Sequence, residues 1–272
     1  MDAMFVQLLP GEAPRAEVLF EKMLHNLAVA SILSGGTAST VMVDDVDRPR
    51  AAVTWSGSRI YVAIDTGCDV FSSLAETIAW RVKAKGSDIY IIYLAPKANS
   101  DRFMEPEGFQ AVHRTRNYYE VDAAKRDWVA EPLQGYTLHN LDMGLLSMGL
   151  RNTDRMIDEM RSERPTVEEF MEKSFGFSAV SDREIACWCM SEYNTGARFE
   201  IGIETVEEHR RKGLATQTAK ATIGYGVTRG YRIVGWHCWT DNVGSNELAR
   251  ALGFSHVCEY PTIVLRRAAS AS

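Results

Sequence analysis

Residues 207–216 of the sequence, EEHRRKGLAT, concentrate basic side chains directly before a glycine and an apolar run. The four residues before Gly213 that are or can be cationic are His209, Arg210, Arg211 and Lys212. The first turn of a helix has about four backbone N–H groups without intrahelical partners and carries partial positive charge. The stretch therefore predicts a backbone cradle for an anion such as phosphate, although a solvated basic helix start would have the same composition.

Three further side chains could take part in acid–base chemistry: Glu200, Glu204 and His237. Apolar and polar residues alternate in the predicted strand 198–206, so both carboxylates share one face. A surface strand would have the same pattern, but a central strand carries a polar face only where that face lines a cleft. His237 lies in GWHCWTD, where it either titrates near neutrality in a site or is a packed histidine held by a backbone carbonyl.

Composition and charge limit the classes of function. The 272 residues carry a net charge of -6 and are 46% apolar. An acidic chain lacks the excess of Lys and Arg that binds nucleic acid, and no apolar run is long enough to span a bilayer. The five scattered cysteines fit reduced thiols in a cytoplasmic protein. Cys187-x-Cys189 has no second pair downstream, so we expect no metal site.

The chain divides near residues 123–134, where DAAKRDWVAEPLQG has the composition of a linker. We therefore expect an N-terminal domain over residues 1–125 and a second domain over residues 135–272. Helical spacing of apolar residues predicts one helix over residues 14–33. A hairpin, a helix and two strands follow it in the N-terminal domain.

The second domain alternates strands and helices around the basic loop. Asn152 and Thr166 are candidate N-caps of two early helices. Antiparallel strands lead to the loop, and helix 213–229, strand 231–239 and helix 242–252 precede the closing strands. A strand–helix–strand unit in an otherwise antiparallel run implies a mixed sheet. The predicted fold class is α+β, with a mixed, mostly antiparallel sheet flanked by helices.

The spacing Arg210-x-x-Gly213-x-Ala215 resembles the [QR]-x-x-G-x-[GA] signature of the GNAT superfamily of N-acetyltransferases. Val206 stands where the family has the apolar residue that ends the preceding strand. Neither the P-loop nor the G-x-G-x-x-G dinucleotide fingerprint matches this stretch. Of the three phosphate-binding motifs, the GNAT signature is therefore the one that this strand–loop–helix junction resembles.

Two downstream segments strengthen the resemblance. Asn242 and Ser245 match the family's N-x-x-[AS], and the LGF at 252–254 follows the next helix, as it does in the family. Over residues 135–266 the resemblance implies a GNAT fold whose loop binds the pyrophosphate of acetyl-coenzyme A (acetyl-CoA). The residues that it assigns to this cofactor are Val206, Arg210, Arg211, Lys212, Gly213, Leu214, Ala215, Thr216, Asn242 and Ser245.

The resemblance also implies a path for the pantetheine arm of acetyl-CoA. The arm would run between strands 198–206 and 231–239, which we expect to splay apart after Val206, and would pair with the backbone like an added strand.

An attacking amine needs a base to accept its proton. Glu200 matches the position of the base in several family members, and His237 and Glu204 are the alternatives. The family's tyrosine acid is replaced by Ala249 here, which leaves the acid unassigned.

Residues 51–122 faintly repeat the order of elements in the second half. The helix start GCDVFSSLAE has neither the signature nor a basic cluster. We interpret the first half as a degenerate GNAT-like copy, in tandem with the second, that has lost cofactor binding; an unrelated α+β domain is the alternative. This half either caps the acceptor pocket or serves as the surface of a homodimer.

The resemblance implies an enzyme that transfers the acetyl group of acetyl-CoA to a primary amine of a small molecule by direct attack in a ternary complex. Two alternatives stay open. One is a protein acetyltransferase acting on a lysine or an N-terminus. The other is a sensor that binds acetyl-CoA without catalysis. The sequence identifies neither the acceptor nor the oligomeric state.

Overall fold

The structure is a computed structural model that describes residues 5–65, 67–95 and 100–268. The chain forms two compact units. The first comprises residues 1–117 and 258–272, and the second comprises residues 118–257. The predicted division into domains 1–125 and 135–272 differs from these units at the end of the chain, which is grouped with the first unit. That division stays a prediction.

The first unit contains short helices and a sheet. Its α-helices are α1 (Glu17–Phe20), α2 (Leu27–Leu33) and α3 (Phe71–Lys85). Its strands are β1 (Val6–Gln7), β2 (Val41–Val43), β3 (Ala51–Ser56), β4 (Arg59–Ile64), β5 (Ile89–Leu94), the first part of β6 (Phe109–Asp122) and the last part of β12 (Ser255–Arg267). β4 and β5 pair in parallel, and β12 pairs antiparallel with β5. Most core side chains of this unit come from β3, β4, β5 and α3.

The prediction of one continuous helix over residues 14–33 is wrong. Turns of 3-10 helix precede α1 and separate it from α2. Asn26 is buried in extended backbone, with φ −90° and ψ 105°, and its Nδ2 lies 2.9 Å from His25 Nε2. A buried amide must find polar partners, and here that requirement interrupts the helix that apolar spacing alone predicts.

The second unit has a mixed sheet between helices. Its remaining strands are β7 (Thr137–Asn140), β8 (Gly176–Ser181), β9 (Glu184–Thr195), β10 (Arg198–Thr205) and β11 (Ile233–Trp239). Its α-helices are α4 (Met143–Leu146), α5 (Thr153–Glu163), α6 (Val167–Lys173), α7 (Leu214–Thr228) and α8 (Val243–Ala251). The strand order is β6-β11-β10-β9-β8-β7, with β10 parallel to β11 and the strands from β7 to β10 antiparallel. The predicted α+β class is confirmed.

Alternate residues of β9 face opposite helices. Cys187 and Cys189 belong to the apolar clusters under α7, whereas Trp188 and Met190 pack with α5 and α6. Small residues let α7 lie close to the sheet, since a Cβ on Gly226 would be 2.7 Å from the Phe199 ring. The close approach lies between the C-terminal part of α7 and the start of β10.

Two predicted helix caps have different outcomes. Thr166 caps α6, because its side chain accepts from Glu169 N at 3.1 Å. Asn152 precedes α5 with φ 67°, but its side chain makes no cap. Its Nδ2 donates to Glu184 Oε1 at 2.9 Å instead. Asn152 therefore occupies the predicted N-cap position, but a tertiary partner takes its amide in place of a capping hydrogen bond.

Candidate functional site

β10 and β11 part in the middle of β10. Their pairing runs from Arg198↔Ile233 to Glu200↔Gly235, while pairing of β10 with β9 continues as far as Thr205. The strands therefore open after Glu200. The expectation that they splay after Val206 is wrong by six positions, and the opening is correspondingly deeper.

A β-bulge accompanies the opening. Arg198 pairs with Thr195, but Glu200 pairs with Glu192, so β9 has one extra residue at this point. Tyr193, within the bulge, has a φ of 49°. Bulges bend the strand that carries them and increase its twist, and this one lies in β9 beside the position at which β10 and β11 part.

A cleft of about 730 Å³ lies at the N-terminus of α7. Eight of the predicted cofactor residues line it: Arg210, Arg211, Gly213, Leu214, Ala215, Thr216, Asn242 and Ser245. Val206 and Lys212 are not among the lining residues. Val206 is buried in the apolar cluster with Trp188, and Lys212 Nζ donates to Tyr136 Oη at 3.2 Å.

The basic loop reaches α7 through two left-handed positions. Arg211 has φ 61° and Gly213 has φ 79°, and no side chain caps the helix at Gly213. A Cβ built on Gly213 would meet its nearest neighbour, Leu133, only at 3.9 Å. Glycine is therefore favoured here by its backbone conformation, and the helix start is left open to a ligand in the cleft.

Side chains remote in sequence brace this loop. His209 Nδ1 lies 2.8 Å from Tyr136 Oη, and its Nε2 lies 3.5 Å from Glu184 Oε2. Arg151 Nη2 pairs with the same Glu184 oxygen at 2.6 Å. No local pattern predicts this arrangement, because Tyr136 and Glu184 are 73 and 25 positions away from His209 in the chain. The brace fixes the turn that precedes the cleft.

The start of α8 forms the other wall of the cleft. Asn242 Oδ1 accepts from Ser245 N at 3.1 Å, and Ser245 Oγ accepts from Trp236 Nε1 at 3.0 Å. Buried Asn246, which the sequence analysis missed, accepts from Tyr119 Oη at 2.8 Å and donates to Asn242 O at 2.7 Å. Asn242 and Ser245 are thus held rigidly at the cleft by their own helix and by β11.

Glu200 and His237 form a pair where β10 and β11 part. Glu200 Oε1 and His237 Nε2 are 3.1 Å apart, and the two side chains are 7% and 10% exposed. The two residues, which the sequence presents as alternative bases, are brought together by the tertiary structure. Glu204 is different: it lines the cleft, is 40% exposed and pairs with Arg155 on α5.

Two more carboxylates lie beside this pair. A Cβ on Gly202 would be 2.0 Å from Glu192 Oε1 and 3.1 Å from Glu159 Oε1, so the absent side chain makes room for both. Trp188 Nε1 donates to Glu159 Oε2 at 2.5 Å. Glu192 is also directly opposite Glu200 in the sheet. Carboxylates of like charge at directly opposite positions are unfavourable for the sheet.

Metal and membrane features can be assessed over the described ranges. There, no group of three or more His, Cys, Asp or Glu side chains is arranged to hold a metal ion. Within the same ranges, no helix has both the length and the apolarity to cross a bilayer.

Comparison with known proteins gives a consistent result. The sequence model of the GNAT acetyltransferase family matches residues 17–263. An uncharacterized N-acetyltransferase of Bacillus subtilis (strain 168), YdfB, is 25% identical over 248 residues, which are 90% of this chain and 92% of that protein.

Solved structures agree on the fold. A GCN5-related N-acetyltransferase-like protein from Streptococcus suis matches with a TM-score of 0.70 and 19% identity, covering 94% of this chain and 99% of its own. A tandem GNAT protein from the clavulanic acid biosynthesis pathway matches with a TM-score of 0.60 and 15% identity, covering 98% and 99%. The predicted GNAT fold in tandem is confirmed. The chain belongs to the GNAT acetyltransferase family, and it is an acyltransferase.

Proposed function

We propose that the protein transfers the acetyl group of acetyl-CoA to a primary amine of a small molecule. One observation carries the proposal: the Glu200–His237 pair lies where β10 and β11 part. A linear arm that enters from the cleft and pairs with the edge of β10 beyond Glu200 would end beside these two side chains. The reacting end of the cofactor and the proton acceptor would then meet.

The cleft fits the anionic part of acetyl-CoA. An uncapped helix of 15 residues begins at its floor, and Arg210 and Arg211 add positive charge along its lining. Arg210 Nε donates to Thr205 O at 3.2 Å, which ties the loop to the end of β10. Backbone N–H groups, the helix dipole and the guanidinium groups favour a pyrophosphate here.

The proposed reaction balances as follows. The amine nitrogen forms a bond to the thioester carbonyl carbon, and the C–S bond breaks. An ammonium acceptor gives up two protons, of which one returns to the departing sulfur and one passes to solvent. Glu200, with His237 against it, would accept the proton that leaves the attacking nitrogen. Ala249 is fully buried at the family's tyrosine position, so this position supplies no acid. A thiol with a pKa of about 8.5 is an adequate leaving group without protonation by a dedicated acid.

The charge around Gly202 favours a cationic acceptor. The carboxylates of Glu159 and Glu192 converge over this glycine on the same face as Glu200. A primary ammonium group would be attracted there before it loses its proton. A small amine with a second positive charge satisfies this surface better than a neutral amine does.

Thiol release from acetyl-CoA, measured against a panel of amines, tests the proposal. The panel contains diamines, aminosugars, amino acids and a lysine peptide, and product masses verify the acetylated species. We expect amine-dependent release with small amines. Release with the peptide alone would indicate a protein acetyltransferase. Binding of acetyl-CoA without release for any amine would indicate a sensor, the alternative that Ala249 favours.

A further inference from the structure

Tyr118 lies against the Glu200–His237 pair. Its side chain is buried, and its ring stacks on the His237 imidazole with centroids 4.7 Å apart and planes inclined by 26°. Tyr118 Oη donates to Glu120 Oε2 at 2.7 Å and accepts from Arg198 Nη2 at 3.1 Å. The tyrosine is therefore held both at its ring face and at its hydroxyl.

Gly235 makes room for this contact. A Cβ at position 235 would be 3.0 Å from Tyr118 Cε2 and 3.0 Å from Glu200 Cγ, closer than an ordinary carbon–carbon contact. The glycine lets the tyrosine ring and the Glu200 side chain meet over β11. Ring, carboxylate and imidazole thus form one packed cluster within the second unit.

We propose that Tyr118 is a positioning residue for the Glu200–His237 pair, a role that rests on the function proposed above. The χ2 angle of a histidine has a broad preference, so Glu200 alone does not fix the imidazole plane. A ring stacked on one imidazole face restricts that rotation. The tethers from Glu120 and Arg198 keep the tyrosine ring itself in place.

The charged groups that hold Tyr118 affect how a pH profile of the enzyme is interpreted. Arg198 Nη2 and Glu120 Oε2 are 2.7 Å apart and largely neutralise each other. Burial, followed by the hydrogen bond to Glu120, raises the pKa of Tyr118 far above its usual value. Its hydroxyl therefore stays protonated over the pH range of an assay. A changed pH profile after substitution of Tyr118 would report on Glu200 and His237.

Substitution of Tyr118 tests the proposal. Tyr118→Leu removes the stacked ring, and Tyr118→Phe removes only the tethered hydroxyl. The same two changes at Tyr225, a partly exposed tyrosine on α7, are the matched controls. We expect Tyr118→Leu to lower kcat by about 10-fold to 100-fold through misplacement of the pair, with the KM for acetyl-CoA within about twofold of wild type. The pH limb of kcat/KM should also shift. Tyr118→Phe should lose less than about fivefold.

A spectroscopic readout separates this proposal from the proposed function. The nitrogen chemical shifts of the His237 imidazole, which report its hydrogen bond to Glu200, should change in Tyr118→Leu and stay at the wild-type values in Tyr118→Phe. If wild type releases no thiol with any amine, the proposed function fails, and the change in these shifts still supports the positioning role. A folded Tyr118→Leu with unchanged nitrogen shifts, or with unchanged kcat and pH profile in an active enzyme, overturns it. Should Tyr118→Leu not fold, Tyr118→Met serves the same purpose.

Discussion

Glu200 Oε1 and His237 Nε2 lie 3.1 Å apart where two parallel strands part, although the residues are 37 positions apart in the chain. Both side chains are almost buried. At this distance the two side chains share a hydrogen bond, so a change in either one alters the surroundings of the other. The pair should therefore behave as one functional unit.

Removing either member of this pair should impair turnover but not cofactor binding. We expect Glu200→Gln to lower kcat by about 10²–10⁴, the usual contribution of a positioned base. Part of the loss should return at high pH, where free amine is plentiful. Glu172→Gln, on the exposed side of α6, is the matched control. Full activity in a folded Glu200→Gln variant would remove this residue from the mechanism.

His237 provides the second half of that test. If His237 were only a packed histidine, one of the two interpretations of the sequence, its loss would lower stability more than rate. Because its ring lies against Glu200, we now expect His237→Gln to lower kcat as well, and the double variant to lose less than the product of the two single losses. Multiplicative losses in steady-state kinetics would mean that the two side chains act independently.

Gly213→Val should abolish the binding of acetyl-CoA. The φ of 79° at Gly213 is unfavourable for a β-branched residue, and strain there displaces the first turn of α7. Gly230→Val, with a φ of 91° at the other end of α7, imposes similar strain away from the cleft. Calorimetry should therefore find a loss of affinity in the first variant alone. Equal affinities in the two folded variants would place the cofactor elsewhere.

The brace on the basic loop should tune cofactor affinity. Tyr136→Phe keeps the ring but removes the hydroxyl that contacts His209 and Lys212. The loop would then lose the order that it needs before binding, and we expect the Kd for coenzyme A to rise by about threefold to tenfold, the cost of one lost hydrogen bond. The same rise in Kd should appear in His209→Ala. The Tyr136→Phe/His209→Ala double variant should show no further rise in Kd.

Binding stoichiometry should be one acetyl-CoA per chain. In the first unit, α3 begins at Phe71, and the segment before it, GCDV, contains no basic residue. We therefore expect the first unit to bind no cofactor. Calorimetric titration of the full chain measures the ratio directly. A ratio of two, or residual binding in Gly213→Val with unchanged enthalpy, would show a second site in the first unit.

Stability should fall at alkaline pH through a buried thiol. Burial raises the pKa of Cys187 from an ordinary 9.0 to about 11, against hydrogen bonds from Thr205 and Thr218. Because the thiol is harder to ionise in the folded state, it contributes about 2–3 kcal/mol to the free energy of unfolding. This contribution is fully present below pH 9 and is lost between about pH 9 and 11. Urea titrations at pH 8 and 10.5 should show a smaller decrease in Cys187→Ala.

The sequence by itself determined the cofactor half of the candidate site. This half depends on a glycine at a left-handed position, on basic neighbours and on an N-cap asparagine. These residues act through backbone geometry and local charge, which the local spacing of the sequence encodes. Eight predicted residues therefore line one cleft. Helix and strand order in the second half followed from periodicity for the same reason. At the N-cap position of α5, the Asn152 side chain donates to Glu184, a residue distant in sequence, and does not cap the helix.

Only the tertiary structure decided the chemistry beside that cleft. The strands open beside a bulge in β9, and the contact between Glu200 and His237 depends on the register of two strands joined through α7. Tyr118 comes from a third strand and fits only because position 235 is glycine. Such contacts depend on how strands pair and how side chains fill space between them, which no local pattern in the sequence encodes.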